Sequence, residues 1–293
     1  MASRRFPVLL AAGVLCLVPA ACGSDDDSSD SGSSETAAVT FETSEPAKAR
    51  VAIDGPAEIE AGVVEITLKN TGKGLHDAQI LRVEGDRTAD EVISNSIDSE
   101  EGAPTPEWIT DGGGLAAVPP GESATVTEVL KPGTYYVLDS ESAQGTQQPN
   151  ARKGGVAKFE VTGEAATAEL PETDATITAK DFSFETAGIK PGANRLTFEN
   201  TGRQLHHVIA LPINKGSTIE DVKKFATSEG QSEGPPPVDF ENGVATAVID
   251  GGQAQVAELE FKKGKYALLC FITNREGGPP HVAMGMVDEL DVK

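Results

Sequence analysis

The feature that most constrains the fold of this chain is an internal repeat. Residues 64–81 match residues 194–211, and both segments carry an Asn-Thr-Gly turn followed by a Leu-His pair. Further along, residues 131–138 match residues 262–269. Self-similarity of this kind predicts two homologous domains. We place them at residues 47–163 and 175–293, with residues 164–174, rich in Ala, Glu, Thr and Pro, as the linker between them.

Within each copy the pattern is that of β-strands. Apolar and polar residues alternate over 194–199 and again over 256–261, and clusters of Gly and Pro mark the turns. Each copy also contains one capping-box sequence, Thr88-Ala-Asp-Glu91 in the first and Ser217-Thr-Ile-Glu220 in the second, which predicts a helix. The sequence therefore predicts an all-β fold of two tandem antiparallel Greek-key β-sandwiches, each with one short inserted helix.

The N-terminus has the pattern of a secretory signal. Arg4 and Arg5 precede an apolar run over residues 7–18, and small residues then lead to Cys22. The apolar run is shorter than the roughly 20 residues that a transmembrane helix needs. The segment resembles the bacterial lipoprotein signal, in which the cysteine after the cleavage point is lipidated, although Pro19 stands where a Leu is usual. An ordinary cleaved signal with a chance cysteine is the alternative.

These features predict where the protein is located. We expect residues 1–21 to be a lipoprotein signal peptide and Cys22 to carry the lipid. Residues 22–46 are expected to form a disordered acidic tether, since Ser- and Asp-rich sequence buries too little apolar surface to order itself. The lipid would anchor the chain to the cell membrane, with both domains on the extracytoplasmic face.

The charge of the chain limits its partners. Asp and Glu total 46 and Lys and Arg total 24, giving a formal net charge of −22. Such an excess disfavours nucleic acid and anionic lipid as partners. It favours solubility, or docking to a basic protein.

Cysteine usage directs attention to one residue. Cys16 lies in the signal and Cys22 is the expected lipid attachment point, which leaves Cys270 as the only free thiol. An unpaired thiol is uncommon in an oxidising compartment unless it has a function. A buried, chemically inert cysteine is the alternative.

The neighbours of Cys270 favour a functional role. Apart from the initiator, the chain has two methionines, Met284 and Met286, and both lie close after Cys270 and His281. With a further imidazole from another strand, His206, these side chains form a soft ligand set. Two His, one Cys and a weak axial Met suit a mononuclear copper ion, whereas zinc more often recruits additional Cys or His.

At these residues the sequence resembles the cupredoxin family. The segment Asn200-Thr-Gly-Arg-Gln-Leu-His206 fits the first ligand of that family. In the family the ligand Cys ends a strand that begins with Gly-x-Tyr, and here Gly264-Lys-Tyr266 leads into Cys270. The ending His281-Val-Ala-Met-Gly-Met286 is similar to the type 1 site of copper nitrite reductases. The resemblance implies one type 1 copper, with Met286 rather than Met284 as the axial ligand. The implied metal ligands are His206, Cys270, His281 and Met286.

Two features depart from the family pattern. Ten residues separate Cys270 from His281, a longer loop than in plastocyanins, azurins or nitrite reductases, so the bend at residues 277–280 must return the chain to the metal. The second is His207, which adjoins His206. Successive strand residues face opposite ways, so His207 is expected at the surface or behind the ligands.

The first repeat is predicted to lack the copper site. Alignment of the repeats places His76 at the position of His206, Asp139 at that of Cys270, Asn150 at that of His281 and Gly155 at that of Met286. Three of the four ligands are therefore missing, and His76 is interpreted as a structural remnant.

The favoured function is single-electron transfer through the copper, with His281 near the solvent edge as the exit for the electron. A basic redox protein is the expected partner. The chain has four histidines, too few for a further catalytic copper, so we do not expect an enzyme. Two alternatives stay open: a copper-binding or delivery protein, and a non-metal surface module of two immunoglobulin-like sandwiches in which Cys270 is simply buried.

Overall fold

A computed structural model describes residues 36–97, 102–142, 148–164, 168–228 and 234–293. The signal sequence, Cys22 and most of the expected tether lie outside the described residues, so the lipid anchor stays a prediction. In the described ranges, no helix is both long and apolar enough to cross a membrane.

The described chain consists mainly of strands, which confirms the predicted all-β class and the single α-helix in each repeat. The first repeat contains strands β1 (Ala37–Ala47), β2 (Arg50–Asp54), β3 (Glu58–Glu60), β4 (Gly62–Asn70), β5 (His76–Val83), β6 (Ile109–Val118), β7 (Ser123–Leu130), β8 (Gly133–Leu138) and β9 (Val156–Thr162), helix α1 (Ala89–Ser96), and a 3-10 turn at Asn150–Lys153. The second repeat contains strands β10 (Ala175–Lys180), β11 (Ser183–Ala187), β12 (Gly192–Asn200), β13 (Ile209–Pro212), β14 (Val244–Ala245), β15 (Ala254–Phe261), β16 (Gly264–Leu269) and β17 (Val287–Val292), and helix α2 (Ile219–Ala226).

The first strand begins earlier than the sequence predicted. Residues 37–46 were assigned to the tether, but they form most of β1, which pairs with β4 from Ala37 to Thr43. Phe41 and Thr43 are buried, while Glu42 between them is partly exposed. This alternation is that of a half-buried strand, and the local Glu, Ser and Thr content concealed it.

The two repeats share a continuous sheet. An eight-stranded sheet has the order β11-β10-β12-β15-β7-β4-β1-β2, in which the pairing of β15 with β7 joins the repeats. A five-stranded sheet, β3-β9-β8-β5-β6, covers the first repeat, and a four-stranded sheet, β14-β13-β16-β17, covers the second. Each repeat is thus a two-layer sandwich with its own apolar core, the first around Phe41 and Phe159 and the second around Phe198 and Phe261.

Not every strand pair is antiparallel, as the prediction had it. The pairs β1–β4, β10–β12 and β3–β9 run parallel. In the second repeat β10 pairs with β11 on one side and with β12 on the other, and the chain reverses twice between β10 and β12. Two reversals return it to its original direction, so the pair must be parallel.

Both helices begin with a capping box. Thr88 and Glu91 cap α1 as predicted. In α2 the box is one residue later than predicted, because Thr218 rather than Ser217 adopts the extended backbone of an N-cap. The Thr218 side chain accepts the Asp221 N–H at 3.3 Å, and the Asp221 carboxylate accepts the Thr218 N–H at 2.9 Å.

Candidate metal centre

His206 is held by a rigid turn after β12. The Asn200 side chain donates to the carbonyls of Gln204 and Ile249 at 2.7 and 3.1 Å and accepts the Gly202 N–H at 2.9 Å. The backbone of His206 then pairs with Ile249 in both directions, at 3.0 and 2.8 Å. These bonds fix the main chain on both sides of the imidazole, and the side chain is fully buried.

Cys270 and His281 stand at the two ends of the long loop after β16. The His281 N–H donates to the Ile272 carbonyl at 2.8 Å, and the Val282 N–H donates to the Cys270 carbonyl at 2.7 Å. Backbone bonds therefore close the base of the loop and bring His281 back beside Cys270. Both side chains are fully buried.

The three side chains meet at one point. Cys270 Sγ lies 3.6 Å from His206 Nδ1 and 3.5 Å from His281 Nδ1, and the two Nδ1 atoms are 3.1 Å apart. A position equidistant from these atoms lies about 2 Å from each, close to the roughly 2.0–2.3 Å over which nitrogen and thiolate donors bind a first-row metal. The donor set and its dimensions therefore fit a type 1 copper ion.

The outer nitrogens of both imidazoles face acceptors. His281 Nε2 lies 3.0 Å from Asn274 Oδ1, and His206 Nε2 lies 3.6 Å from Asp181 Oδ1. Asp181 is itself fixed by the N–H groups of Arg203 and Gln204. With the outer nitrogens directed at acceptors, the Nδ1 lone pairs are directed at the shared point, as metal ligation requires.

Burial determines the charge of these groups when no cation is bound. It raises the pKa of the Cys270 thiol to about 11. Burial, together with the neighbouring His206, lowers the pKa of His281 to about 4. Burial also lowers the pKa of His206, although Asp181 opposes the shift. Without a metal, the site is thus a neutral thiol between neutral imidazoles, and a metal cation would take the place of the thiol proton.

The two methionines differ in position. Met286 is fully buried in the apolar cluster that contains Cys270, and its N–H donates to the His281 carbonyl at 2.9 Å. Met284 is 43% exposed. Burial beside Cys270 favours Met286 as the axial ligand, and that role stays a prediction.

The expected solvent-edge position of His281 is wrong. Its ring is fully buried, and the Phe182 ring packs edge-on against it with centroids 5.3 Å apart. Phe182 occupies the turn between β10 and β11 and is itself 37% exposed. The Phe182 ring therefore covers part of the His281 imidazole.

Other residues support the ligands from behind. His207 is half-buried, and its Nε2 accepts the N–H of Phe271, the residue after Cys270, at 2.9 Å. Of the two expected positions, at the surface or behind the ligands, this contact corresponds to the second. Asp181 and Asn274 had not been predicted, because they come from other segments and no local motif marks them.

The first repeat brings together its own equivalent residues. His76 Nδ1 lies 2.5 Å from Asp139 Oδ2, and Asn150 Nδ2 lies 3.4 Å from the same nitrogen. All three side chains are buried. Gly155 lies against them, and a Cβ there would be 2.9 Å from the Asn150 carbonyl oxygen, so a methionine does not fit.

No family model matches the chain, and no curated protein matches it. Solved structures of copper proteins do match it. A reduced auracyanin from Roseiflexus castenholzii is 21% identical with a TM-score of 0.29, over 43% of this chain and 99% of its own. A rusticyanin from Thiobacillus ferrooxidans is 18% identical with a TM-score of 0.30, over 43% and 77%. A copper nitrite reductase from Nitrosomonas europaea is 15% identical with a TM-score of 0.27, over 88% and 94%.

Because these TM-scores are below 0.5, the site is assigned from the geometry of its residues. The buried His–Cys–His cluster lies in a β-sandwich at the positions that the resemblance implied. It confirms the prediction of a cupredoxin-like domain that could hold a type 1 copper. The second repeat is therefore cupredoxin-like in both fold and donor set.

Proposed function

We propose that this protein transfers single electrons through one type 1 copper in its second repeat. The observation that carries the proposal is the closed triangle of buried donors formed by His206, Cys270 and His281. We assign the axial position to Met286. When bound, copper in such a ligand set accepts and releases one electron.

Several features of the chain favour electron transfer over copper delivery. The backbones of His206 and His281 are fixed by hydrogen bonds, so the ligand positions change little. The three donor side chains are fully buried, which excludes water and any incoming ligand. A delivery protein has to present its metal ligands to a recipient, and this burial opposes such a transfer.

A catalytic copper is not part of the proposal. Two of the four histidines belong to the triangle. Of the other two, His207 accepts a backbone N–H and His76 is bonded to Asp139. None is left to build a further copper centre, so we propose a protein without enzymatic activity.

Features of the sequence support a proposed location and a proposed partner. We propose a lipid anchor at Cys22 that keeps the protein at the extracytoplasmic face of the cell membrane. The net charge of −22 supports a basic redox protein as the partner, since opposite charges accelerate encounter.

Spectroelectrochemistry of the copper-loaded protein tests the proposal. We expect the copper to pass through repeated cycles of reduction and oxidation without release, monitored beside a chelator that reports free Cu(I). Loss of copper to the chelator in each reduced phase would favour delivery. No stoichiometric copper uptake would favour the non-metal surface module.

A further inference from the structure

We propose that the first repeat acts as a clamp for the copper-ligand loop, with Arg275 as the positioning residue. The loop comprises residues 271–280, between Cys270 and His281. The inference about copper rests on the proposed function, whereas the docking of the loop stands on contacts between described residues.

The loop is bonded to the first repeat through its main chain. The Thr105 N–H donates to the Arg275 carbonyl at 2.8 Å, and the Gly278 N–H donates to the Gly102 carbonyl at 3.0 Å. Both partners lie between α1 and β6. The outer part of the loop therefore rests on a segment of the other sandwich.

Arg275 adds a side-chain anchor. Its guanidinium donates to the carbonyls of Pro106 and Ile109 at 3.1 and 3.2 Å and pairs with the Asp250 carboxylate. The planar guanidinium satisfies several acceptors at fixed angles, which a lysine ammonium does not do equally well. Asp250 also binds the first repeat, because its N–H donates to the Asp111 carbonyl at 2.9 Å.

The anchor leads to both imidazole ligands. The Arg275 N–H donates to Gln204 Oε1 at 2.8 Å, and Gln204 precedes His206 by two residues. On the other side, Asn274 adjoins Arg275, and its Oδ1 faces His281 Nε2 at 3.0 Å. Displacement of Arg275 would thus loosen the support of His206 and His281 together, although Arg275 itself is not a ligand.

Close packing leaves the docked loop little freedom. Gly277 has a φ of +87°, and a Cβ at this position would lie 2.4 Å from the Gly102 carbonyl oxygen. These contacts hold the outer part of the ten-residue loop in place. The clamp gives the first repeat, which lacks three of the copper ligands, a function in the copper site.

The test measures the exposure of Cys270 in the copper-free full chain. Alkylation of Cys270 by iodoacetamide at one pH, resolved from the other cysteines by peptide mass spectrometry, reports opening of the loop. In Arg275→Ala we expect this rate to rise by at least about tenfold, the effect of losing charge-assisted hydrogen bonds. Arg275→Lys should recover part of the protection.

Arg82→Ala is the matched control. Arg82 donates to the Pro132 carbonyl at 3.1 Å within the first repeat, so the substitution removes the same type of bond away from the loop. Its Cys270 rate should stay at the wild-type value. Gly277→Ala offers a second route to the same opening if Arg275→Ala does not fold.

A second measurement addresses copper. In the copper-loaded Arg275→Ala protein we expect a shifted reduction potential and an altered thiolate-to-copper band, with both unchanged in Arg82→Ala. Equal alkylation rates in wild type and in folded Arg275→Ala and Gly277→Ala proteins would overturn the clamp. A wild-type chain that binds no copper while Arg275→Ala still exposes Cys270 would reject the proposed function and leave the clamp standing.

Discussion

The two repeats place equivalent side chains in an equivalent frame of surrounding hydrogen-bonding residues, yet the chemistry of the two sites differs. In the second repeat His206 Nδ1 faces Cys270 at 3.6 Å, and their separation leaves room for an ion. In the first repeat His76 Nδ1 lies 2.5 Å from Asp139 Oδ2, and a hydrogen bond occupies the nitrogen that would face a metal. The hydrogen bond between His76 and Asp139 thus fills the place where the second repeat could hold copper.

The frame around the sites is the same in both repeats. Asn70 donates to the Gly74 and Val118 carbonyls as Asn200 does to those of Gln204 and Ile249. Glu45 accepts two loop N–H groups and faces His76 Nε2 at 3.4 Å, as Asp181 does for His206.

Even the residue after the histidine keeps its role. Asp77 accepts the Ser140 N–H, just as His207 accepts the Phe271 N–H. The central side chains therefore determine whether a site forms a hydrogen bond or could bind a metal, because the surrounding residues are alike in both repeats.

The largest expected effect is the loss of copper binding from a single change in the second repeat. Cys270→Ser replaces the soft thiolate donor with a hydroxyl, and we expect stoichiometric copper binding and the thiolate-to-copper absorption band to disappear. Asp139→Ser at the equivalent position of the first repeat is the control and should leave both unchanged. Equilibrium dialysis and visible absorption measure the outcome, and a Cys270→Ser protein that keeps the band would contradict the assigned ligands.

The converse change would give the first repeat a copper site. Asp139→Cys with Asn150→His restores the thiol and imidazole beside His76, and a cavity of about 350 Å³ next to Asn150 offers room for the larger ring. We expect a second copper per chain, bound more weakly because Gly155 leaves no axial methionine. Metal analysis of the purified variant measures the stoichiometry, and a ratio that stays at one would show that the frames differ in more than their central side chains.

Stability should also distinguish the two histidines in the copper-free protein. His76→Ala leaves the Asp139 carboxylate buried without its partner, a change that costs about 3–5 kcal/mol in the free energy of unfolding. His206→Ala loses contact with Asp181, whose side chain is 29% exposed and stays hydrated, so the cost should be smaller, about 2–3 kcal/mol. Urea unfolding with a chelator present compares the two, and equal losses would contradict this difference.

A smaller effect concerns the pairing of β7 with β15, which joins the two repeats. Glu128 in β7 lies opposite Gln255 in β15, and burial raises its pKa to about 8, opposed only in part by the nearby Gly114 N–H. A carboxyl whose pKa is higher in the folded state stabilises the fold at low pH, and this contribution declines as pH rises from about 4.5 to about 8. Glu128→Gln should remove that decline, which amounts to at most about 5 kcal/mol.

Urea unfolding of wild type and Glu128→Gln at pH 5 and pH 8 measures the slope. The exposed Glu65→Gln, on the neighbouring strand β4, is the control and should keep the wild-type pH dependence. A wild-type slope retained by Glu128→Gln would mean that Glu128 is ionised in the folded protein over this range.

The sequence predicted the parts of the site that lie in local motifs. His206, Cys270 and His281 stand in recognisable segments, and both sandwiches follow from alternation and repetition. Asp181 and Asn274 could not be predicted, since their contacts with the imidazoles arise only when separate segments fold together. The shared sheet was equally hidden, because alternation in β7 and β15 reveals which faces are buried but not which edges pair.

The most direct test of the central claim is a Cu(II) titration of the purified chain with visible absorption and electron paramagnetic resonance recorded together. The account predicts an intense blue thiolate-to-copper band that saturates at one copper per chain, with the narrow copper hyperfine splitting of a type 1 site. A protein that stays colourless after the addition of copper would contradict the account, provided that Cys270 is still a reduced thiol when it is titrated with a thiol reagent after unfolding. The second repeat would then be a sandwich with a buried, unused thiol.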